Sequence, residues 1–345
     1  MTEHSGFFCK VTGFEGFQEE ILRLRNANRE RTQTLEYLNW RYRSAADAPG
    51  PCVFWLFQAA GERVGMASAI FRPYRIDDER VFVAVIGDIS LDARLRGRGL
   101  GQVLLRFMTQ YLDEHFPGQP AFVIPTEAAR RALASVGWVA SGTLVPYVCV
   151  LDAMRYLRTT LHSGSLAAAA AKCLQNTVRA LARRRARRDG ALFLSSACED
   201  SDPDLAGARP PQLGAVRDLG PDELSWRYAQ HPHARFVFGR YYRADTLRGF
   251  VVFEDDAETQ TCSIYDLTAT DPTDLRPMLA LLVLRGLAAE LTSVRIVLSD
   301  RHPATTSLRG LGFVARRSDS MFQVHSSNGL AEKAVWRITQ GDKDT

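Results

Sequence analysis

Apolar residues along this chain fall into runs of two periods. Residues 53–56, 61–69 and 81–91 are short stretches rich in Val, Ile, Phe and Ala bounded by turn residues, the signature of strands. Residues 101–115 carry apolar side chains at three- and four-residue spacing, which predicts an amphipathic helix. A strand at 121–124, a short helix running into Gly137-Trp138-Val139 and a strand-like run at 144–151 complete the series.

The series is then written a second time. Leu38-Asn39-Trp40-Arg41-Tyr42 recurs as Leu224-Ser225-Trp226-Arg227-Tyr228. The strands at 53–56 and 61–69 find counterparts at 236–238 and 245–253, with Gly65 matching Gly249. Residues 85–91 align with 263–269, so that Asp88 matches Asp266. A helix at 275–291, a strand at 294–298 and a short helix ending in Gly312-Phe313-Val314 follow. Five matches in one order at similar spacing indicate duplication. The expected organisation is a first domain at 1–152, a basic helical connector at 153–189, a second domain at 190–328 and a C-terminal tail at 329–345. The tail is polar from Asn328 onward and is expected to fray, with Trp336 pointing to some packing, and the connector has no Gly or Pro between 166 and 188, as a helix requires.

Composition adds bounds. A chain of 345 residues suits two domains of about 100–200 residues each. Its 46% apolar and 24% charged residues are those of a globular protein. No apolar stretch approaches the roughly twenty residues of a membrane span, and residues 1–10 do not have the pattern of a signal peptide. Six cysteines without CxxC or short His/Cys spacing argue against a zinc ribbon or a disulfide scaffold. The expectation is a soluble, reduced, cytoplasmic protein with no metal and no transmembrane segment. The net charge of +4 is uneven: nine basic and two acidic residues between Leu151 and Gly190 make that segment +7 and the remainder −3. Three readings of the segment stay open. It is a solvated helix face, a lip that attracts an anionic substrate, or a weak contact of Arg183, Arg184, Arg185, Arg187 and Arg188 with an anionic surface. It has too little aromatic interleaving for specific nucleic-acid recognition.

Chemistry concentrates where the 81–91 strand runs into Asp92-Ala93-Arg94-Leu95-Arg96-Gly97-Arg98-Gly99-Leu100-Gly101 and a helix begins. Glycines allow positive φ and close ligand approach, and the first helical turn leaves N–H groups without partners, so this turn suits an anion. The bland alternative is a tight turn with no ligand. A Walker A loop is excluded because no Gly-Lys-Ser/Thr follows, and a Rossmann turn because Gln102 stands where its third glycine belongs.

The pattern Arg96-x-x-Gly99-x-Gly101, entered from a strand and followed by an apolar helix, resembles the Arg/Gln-x-x-Gly-x-Gly/Ala motif of the GCN5-related N-acetyltransferases, the GNAT superfamily. Residues 125–138 are similar to that family's last core helix and its Gly-aromatic ending. The resemblance covers most of the first half by a specific motif, and the second half by element order alone. It implies an α/β fold of two GNAT-like domains, each a mixed, largely antiparallel sheet flanked by helices. It implies that Arg96, Gly97, Arg98, Gly99, Leu100 and Gly101 hold the pyrophosphate of acetyl-CoA, that Ile89 and Leu91 pair their backbone with its pantetheine arm, and that the acyl group passes to an amine acceptor. In the second half the matching turn is Thr270-Asp271-Pro272-Thr273-Asp274-Leu275, acidic and short of donors, so one acyl-CoA site per chain is expected.

The catalytic groups fit the family less well. Its tyrosine acid would stand four residues before Gly137, and Leu133 is there. Asp88 is the nearest carboxylate for a base, but in a regular strand it faces opposite to Val85, where the family's base falls, and Asp266 repeats it in the half without the loop. A structural role is therefore open beside the catalytic one. Tyr147 is a candidate acid, with Tyr74, Tyr111 and Glu127 weaker ones. Trp40 and Trp226 are expected to pack in the core and His231-Pro232-His233 to form a turn; Arg41 and Arg227 could each pair with a carboxylate, Asp88 and Asp266 being candidates, a pairing that sequence alone does not show. The function expected is N-acyl transfer from acetyl-CoA or a short-chain relative; the alternative is a non-catalytic CoA-binding or scaffolding protein.

Overall fold

The computed structural model of the chain describes residues 7–27, 32–45, 47–59, 61–160, 167–186, 189–196 and 214–343. The first half runs β1 (Phe7–Thr12), α1 (Gln18–Asn26), α2 (Leu35–Arg41), β2 (Val53–Ala59), β3 (Glu62–Ile76), β4 (Glu79–Leu91), α3 (Leu100–His115), β5 (Ala121–Val123), α4 (Glu127–Ala134) and β6 (Val139–Val150). The connector is helical over α5 (Ala153–Thr160) and α6 (Ala167–Arg185). The second half follows with β7 (Gly190–Ser195), β8 (Ala215–Arg217), α7 (Pro221–Leu224) continuing as a π-helical turn (Ser225–Ala229), β9 (Val237–Arg243), β10 (Thr246–Asp256) and β11 (Thr261–Ala269). It closes with α8 (Leu275–Ala288), β12 (Ser293–Ser299), α9 (Ala304–Arg309), β13 (Val314–Ala315), β14 (Met321–His325), and the tail helices α10 (Leu330–Lys333) and α11 (Gln340–Lys343).

These strands form one mixed α/β sheet, in the order β1-β2-β3-β4-β5-β14-β6-β12-β11-β10-β9-β7, with β8 on β3 and β13 on β6. Its pairs are antiparallel apart from β4–β5 and β11–β12. Alternation along the strands sorts side chains to the two faces. Val53, Trp55 and Phe57 of β2 pack beneath α3 and α4 with Leu104, Leu105, Met108 and Leu133, while Phe54 and Leu56 meet Ile21, Leu24 and Leu38 of α1 and α2. In the second half α6 and α8 cover one face through Val178, Ala182, Met278 and Val283, and Leu224, Tyr228, Phe238 and Val252 form the core of the other.

The halves lie edge to edge, not one over the other, because they exchange their closing strands. β6 pairs with β12 of the second half over Leu144↔Ser299 to Val150↔Ser293. β14 pairs with β5 of the first half over Gln323↔Val123 to His325↔Ala121. The two exchanged strands also pair with each other. Each parallel pair thus finds its next strand in the other half.

The same pseudo-symmetry brings Trp40 and Trp226 together. Their rings stack at 5.3 Å, and each indole N–H donates to the other's backbone carbonyl, at 2.6 and 2.7 Å. Trp226 is buried as core packing requires, and the contact between the two rings also pins the halves to each other. The buried Arg72 guanidinium lies 3.7 Å from the Trp226 ring and donates to the carbonyls of Arg41 and Arg43.

The tail is deeply packed. Trp336 and Ile338 are buried among Tyr74, Val85, Phe122 and Phe322, so both halves close around them. Ser299 N–H donates to the Ile338 carbonyl at 2.8 Å, and Thr339 bridges to Leu298. Beyond Ile264 and Ile296 the parallel pair β11–β12 diverges, and the tail enters this opening. There the hydroxyls of Thr339 and Tyr228 donate to Asp266, Tyr74 donates to Asp342 at 2.5 Å, and Gly341 lies too close to Asp266 and Tyr228 to carry a Cβ.

Burial and the neighbouring Asp342 carboxylate push the Asp266 carboxyl up to about 6, against Arg227 and the two hydroxyls. A carboxyl raised in the folded state contributes stability that is present below its unfolded value of 3.8 and lost as pH rises through about 6. His231, held near 4, and His302, held near 3, both mainly by burial, act in the opposite sense, destabilising the fold as pH falls below 6.5. The difference between wild type and Asp266→Asn isolates the carboxyl. Denaturant midpoints measured from pH 4 to 7 should show the variant gaining stability relative to wild type as pH rises; a constant difference would contradict the assignment.

Candidate functional site

β4 carries a one-residue bulge. Met66 faces Ser90 and Ser68 faces Gly87, so Asp88 and Ile89 share the place opposite Ala67. Asp88 adopts φ +52°, a left-handed conformation rare for a residue with a side chain. The bulge corrects the expected alternation: Val85 pairs with Ile70 on the α1–α2 face, and Asp88 turns to that same face to accept from Ser68 Oγ at 3.1 Å. Arg25 donates to its Oδ1 at 2.5 Å, Tyr42 to its Oδ2, and Arg41 lies 3.6 Å away, as the pairing of Arg41 with Asp88 required. Burial, then the Asp88 carboxylate, pushes the Tyr42 phenol above its usual range, so it stays protonated and donates. Burial opposes the charge on Arg41, but Asp88 overcomes it and holds the guanidinium ionised. Both carboxylate oxygens are thereby engaged, which is the geometry of a structural knot. Asp266 repeats it with Tyr228 and the opposing Arg227, at a bulge between Ile264 and Asp266.

The bulge opens a cleft. β4 pairs with β5 only from Ala84 to Ile86, and past that point the strands separate around a cavity of about 330 Å³. Its walls include Arg25, Gly87, Asp88, Ser90, Ile124 and Thr126. On the other side of β4, Asp92 N–H donates to Val64 of β3 at 2.7 Å. Strand alternation then turns the N–H and C=O of Leu91, and two residues earlier those of Ile89, toward the open edge.

At the end of that edge lies the glycine turn. Asp92 Oδ1 accepts from Arg94 N–H at 2.9 Å and caps a 3-10 turn (Ala93–Leu95). Arg96 folds back onto the Leu91 carbonyl at 3.1 Å, and Arg98 is exposed. Gly97 and Gly99 take φ of +76° and +77°, and Gly99 N-caps α3 without a side chain to satisfy its first N–H groups. A Cβ at Gly97, Gly99 or Gly101 would meet no atom within 4 Å, so the turn faces open space.

The matching place in the second half is filled. Asp271 caps the 3-10 turn (Pro272–Asp274), and the fully buried Asp274 sits at the start of α8 with Arg243 and Arg248 each 3.5 Å away. The chain supplies its own anion there, and the tail occupies the adjoining strand opening.

The remaining candidates do not converge on the cleft. Tyr147 is buried in the second half's core, paired with Ile296. Leu133 is sealed in the core beneath α3. Tyr111 stacks on His115, Tyr74 serves Asp342, and Glu127 is an exposed partner of Arg130. His231 Nδ1 accepts from the N–H groups of His233 and Ala234, forming the expected turn. Arg183, Arg184 and Arg185 are exposed, while Arg187 and Arg188 lie outside the described residues. Arg25, Ser90 and Thr126 escaped sequence reading because no motif marks them; only the bulge and the packing of α1 bring them to one cavity. Among the described residues no three His, Cys, Asp or Glu side chains form a metal-binding group, and no helix is long and apolar enough to cross a membrane.

Residues 17–138 match the Acetyltransferase (GNAT) family. In overall fold the chain is similar to a probable N-acyltransferase from Enterococcus faecalis, with a TM-score of 0.65 at 11% identity, covering 92% of this chain and 71% of the other. It is similar to a GCN5-related N-acetyltransferase from Anabaena variabilis, with a TM-score of 0.62 at 12% identity over 92% and 72% of the two chains. It is also similar to Saccharomyces cerevisiae N-myristoyltransferase with bound myristoyl-CoA, with a TM-score of 0.57 at 12% identity over 94% and 83%. No curated protein matches by sequence.

Asp88→Asn should destabilise the protein by about 3–5 kcal/mol, because it leaves the buried Arg25 and Arg41 without their counter-charge. Urea unfolding measures this, and a loss under 1 kcal/mol would refute the knot.

Proposed function

We propose that this protein is an N-acyltransferase with one acyl-CoA site per chain, in the first half, moving an acetyl or short acyl group to an amine. One observation carries the reading: the free edge of β4 runs from the bulge directly into the uncapped, glycine-lined start of α3. Pyrophosphate on the 96–101 turn would place the pantetheine arm along Ile89 and Leu91 and the thioester at the bulge, where an amine arriving from the α1–α2 face meets it. The residues fit acyl-CoA: a helix start without a side-chain cap for the phosphates, a strand edge for the arm and a cavity for the thioester.

The walls favour a short chain. The apex of the cleft is closed by Ile86 and Val123, and Phe122 fills the sheet beside them. A cavity of about 330 Å³ shared with the arm leaves little room for a long acyl tail. Asp88 acts in this reading by holding the bulge, and positioning supplies most of the acceleration. The non-catalytic alternative draws on Leu133 and Tyr147, both buried away from the cleft. Release of free CoA thiol in the presence of an acceptor separates the two.

Isothermal titration should give one acetyl-CoA site per chain with micromolar affinity, lost in a Gly99→Glu, Gly101→Glu double variant that still folds. Butyryl-CoA should bind comparably and myristoyl-CoA more weakly. Two sites, or none, would overturn the reading.

A further inference from the structure

Two residues that line the cleft each carry a buried polar atom with no hydrogen-bond partner among the described residues: Nε of Arg25 and Oγ of Ser90. Arg25 is only 3% exposed, and its Nη1 is already committed to Tyr42 at 2.8 Å and Asp88 at 2.5 Å. Ser90 follows Asp88 by two residues on the far side of the bulge. The other hydroxyl of the wall, Thr126 Oγ1, already accepts from Ala129 N–H as a helix cap. Buried donors without acceptors are uncommon because each forfeits its hydrogen bond to water. Here two such donors belong to residues lining one cavity.

We propose that Arg25 Nε–H and Ser90 Oγ–H receive the thioester carbonyl oxygen of the bound acyl-CoA and the negative charge that develops on it. This rests on the acyl-CoA reading of the cleft. The amine nitrogen attacks the carbonyl carbon and forms the C–N bond, while the carbonyl π pair moves onto oxygen, where the two donors hold it. Collapse re-forms C=O and breaks C–S, and the electron pair leaves on the CoA sulfur. The amine loses its proton to solvent, and the thiolate takes one from solvent. No group of the protein changes its protonation. Donors fixed before the reaction act on the developing charge without reorganising. Asp88 becomes a positioning residue through its hold on Arg25, and the core residue Leu133 in the family's tyrosine place is then no obstacle to turnover.

The test compares acetyl-CoA with S-ethyl-CoA, the thioether that lacks the carbonyl oxygen, by titration into wild type, Ser90→Ala and Ser90→Thr. Thiol release from acetyl-CoA to water is followed in parallel under single-turnover conditions. Wild type should prefer acetyl-CoA by about tenfold, the value of one to two hydrogen bonds. Ser90→Ala should lose about threefold or more of that preference with S-ethyl-CoA affinity unchanged, and slow thiol release by about a hundredfold. Ser90→Thr, which keeps the hydroxyl, should restore both. Arg25→Lys, which keeps a charge for Asp88 but removes the Nε donor, should resemble Ser90→Ala. Equal affinity for the two ligands in wild type, or a loss in Ser90→Ala shared equally by both, overturns the proposal while the acyl-CoA reading stands. Binding of neither ligand overturns both.

Discussion

A strand that bulges cannot keep its neighbour, and the rest of this structure follows from that constraint. At Asp88 and Ile89 the backbone of β4 takes one residue more than β3 can match, and a buried carboxylate tied to Arg25, Tyr42 and Ser68, with Arg41 close by, fixes the extra residue in place. Beyond the bulge β4 and β5 part. The parting creates the cleft, frees the edge of β4 and aims that edge at the start of α3. A buried charge cluster is a costly way to shape a strand, but it holds a left-handed aspartate that packing alone does not favour.

The same device at Asp266 has the opposite outcome. Burial, and then the Asp342 carboxylate of the tail that faces it, raise the Asp266 carboxyl. The opening between β11 and β12 is occupied by the chain itself, and the helix start beside it is neutralised by Asp274 between two arginines. One fold written twice thus yields one open cleft and one filled by the chain itself, and the difference lies in a few residues of turn and tail, not in the sheet.

Exchange of the closing strands makes the two halves interdependent. β5 and β12 each rely on the other half for their next partner, and Trp40 and Trp226 satisfy each other's indole N–H on the pseudo-twofold axis. Neither half has a complete sheet or a complete core by itself. The tail adds a third contribution, since Trp336 and Ile338 fill the seam core between the halves.

The sequence by itself determined what is local. Periodicity placed the strands and helices, repetition paired Trp40-Arg41-Tyr42 with Trp226-Arg227-Tyr228, and the glycines at 97, 99 and 101 marked the turn, because these signals depend on neighbours in the chain. The repeat offered Asp88 as a partner for Arg41, but only the fold brought the two together. The tertiary structure decided what depends on distant contacts. A bulge is set by mismatch with the partner strand, so alternation alone sent Asp88 to the wrong face. Strand exchange conserves every local pattern while changing partners, so no periodicity reports it. Arg25 and Ser90 share a wall only because α1 packs over the bulge, and the polar tail is buried only because two halves close on Trp336. Physical proximity between residues far apart in sequence leaves no trace in the period of either one.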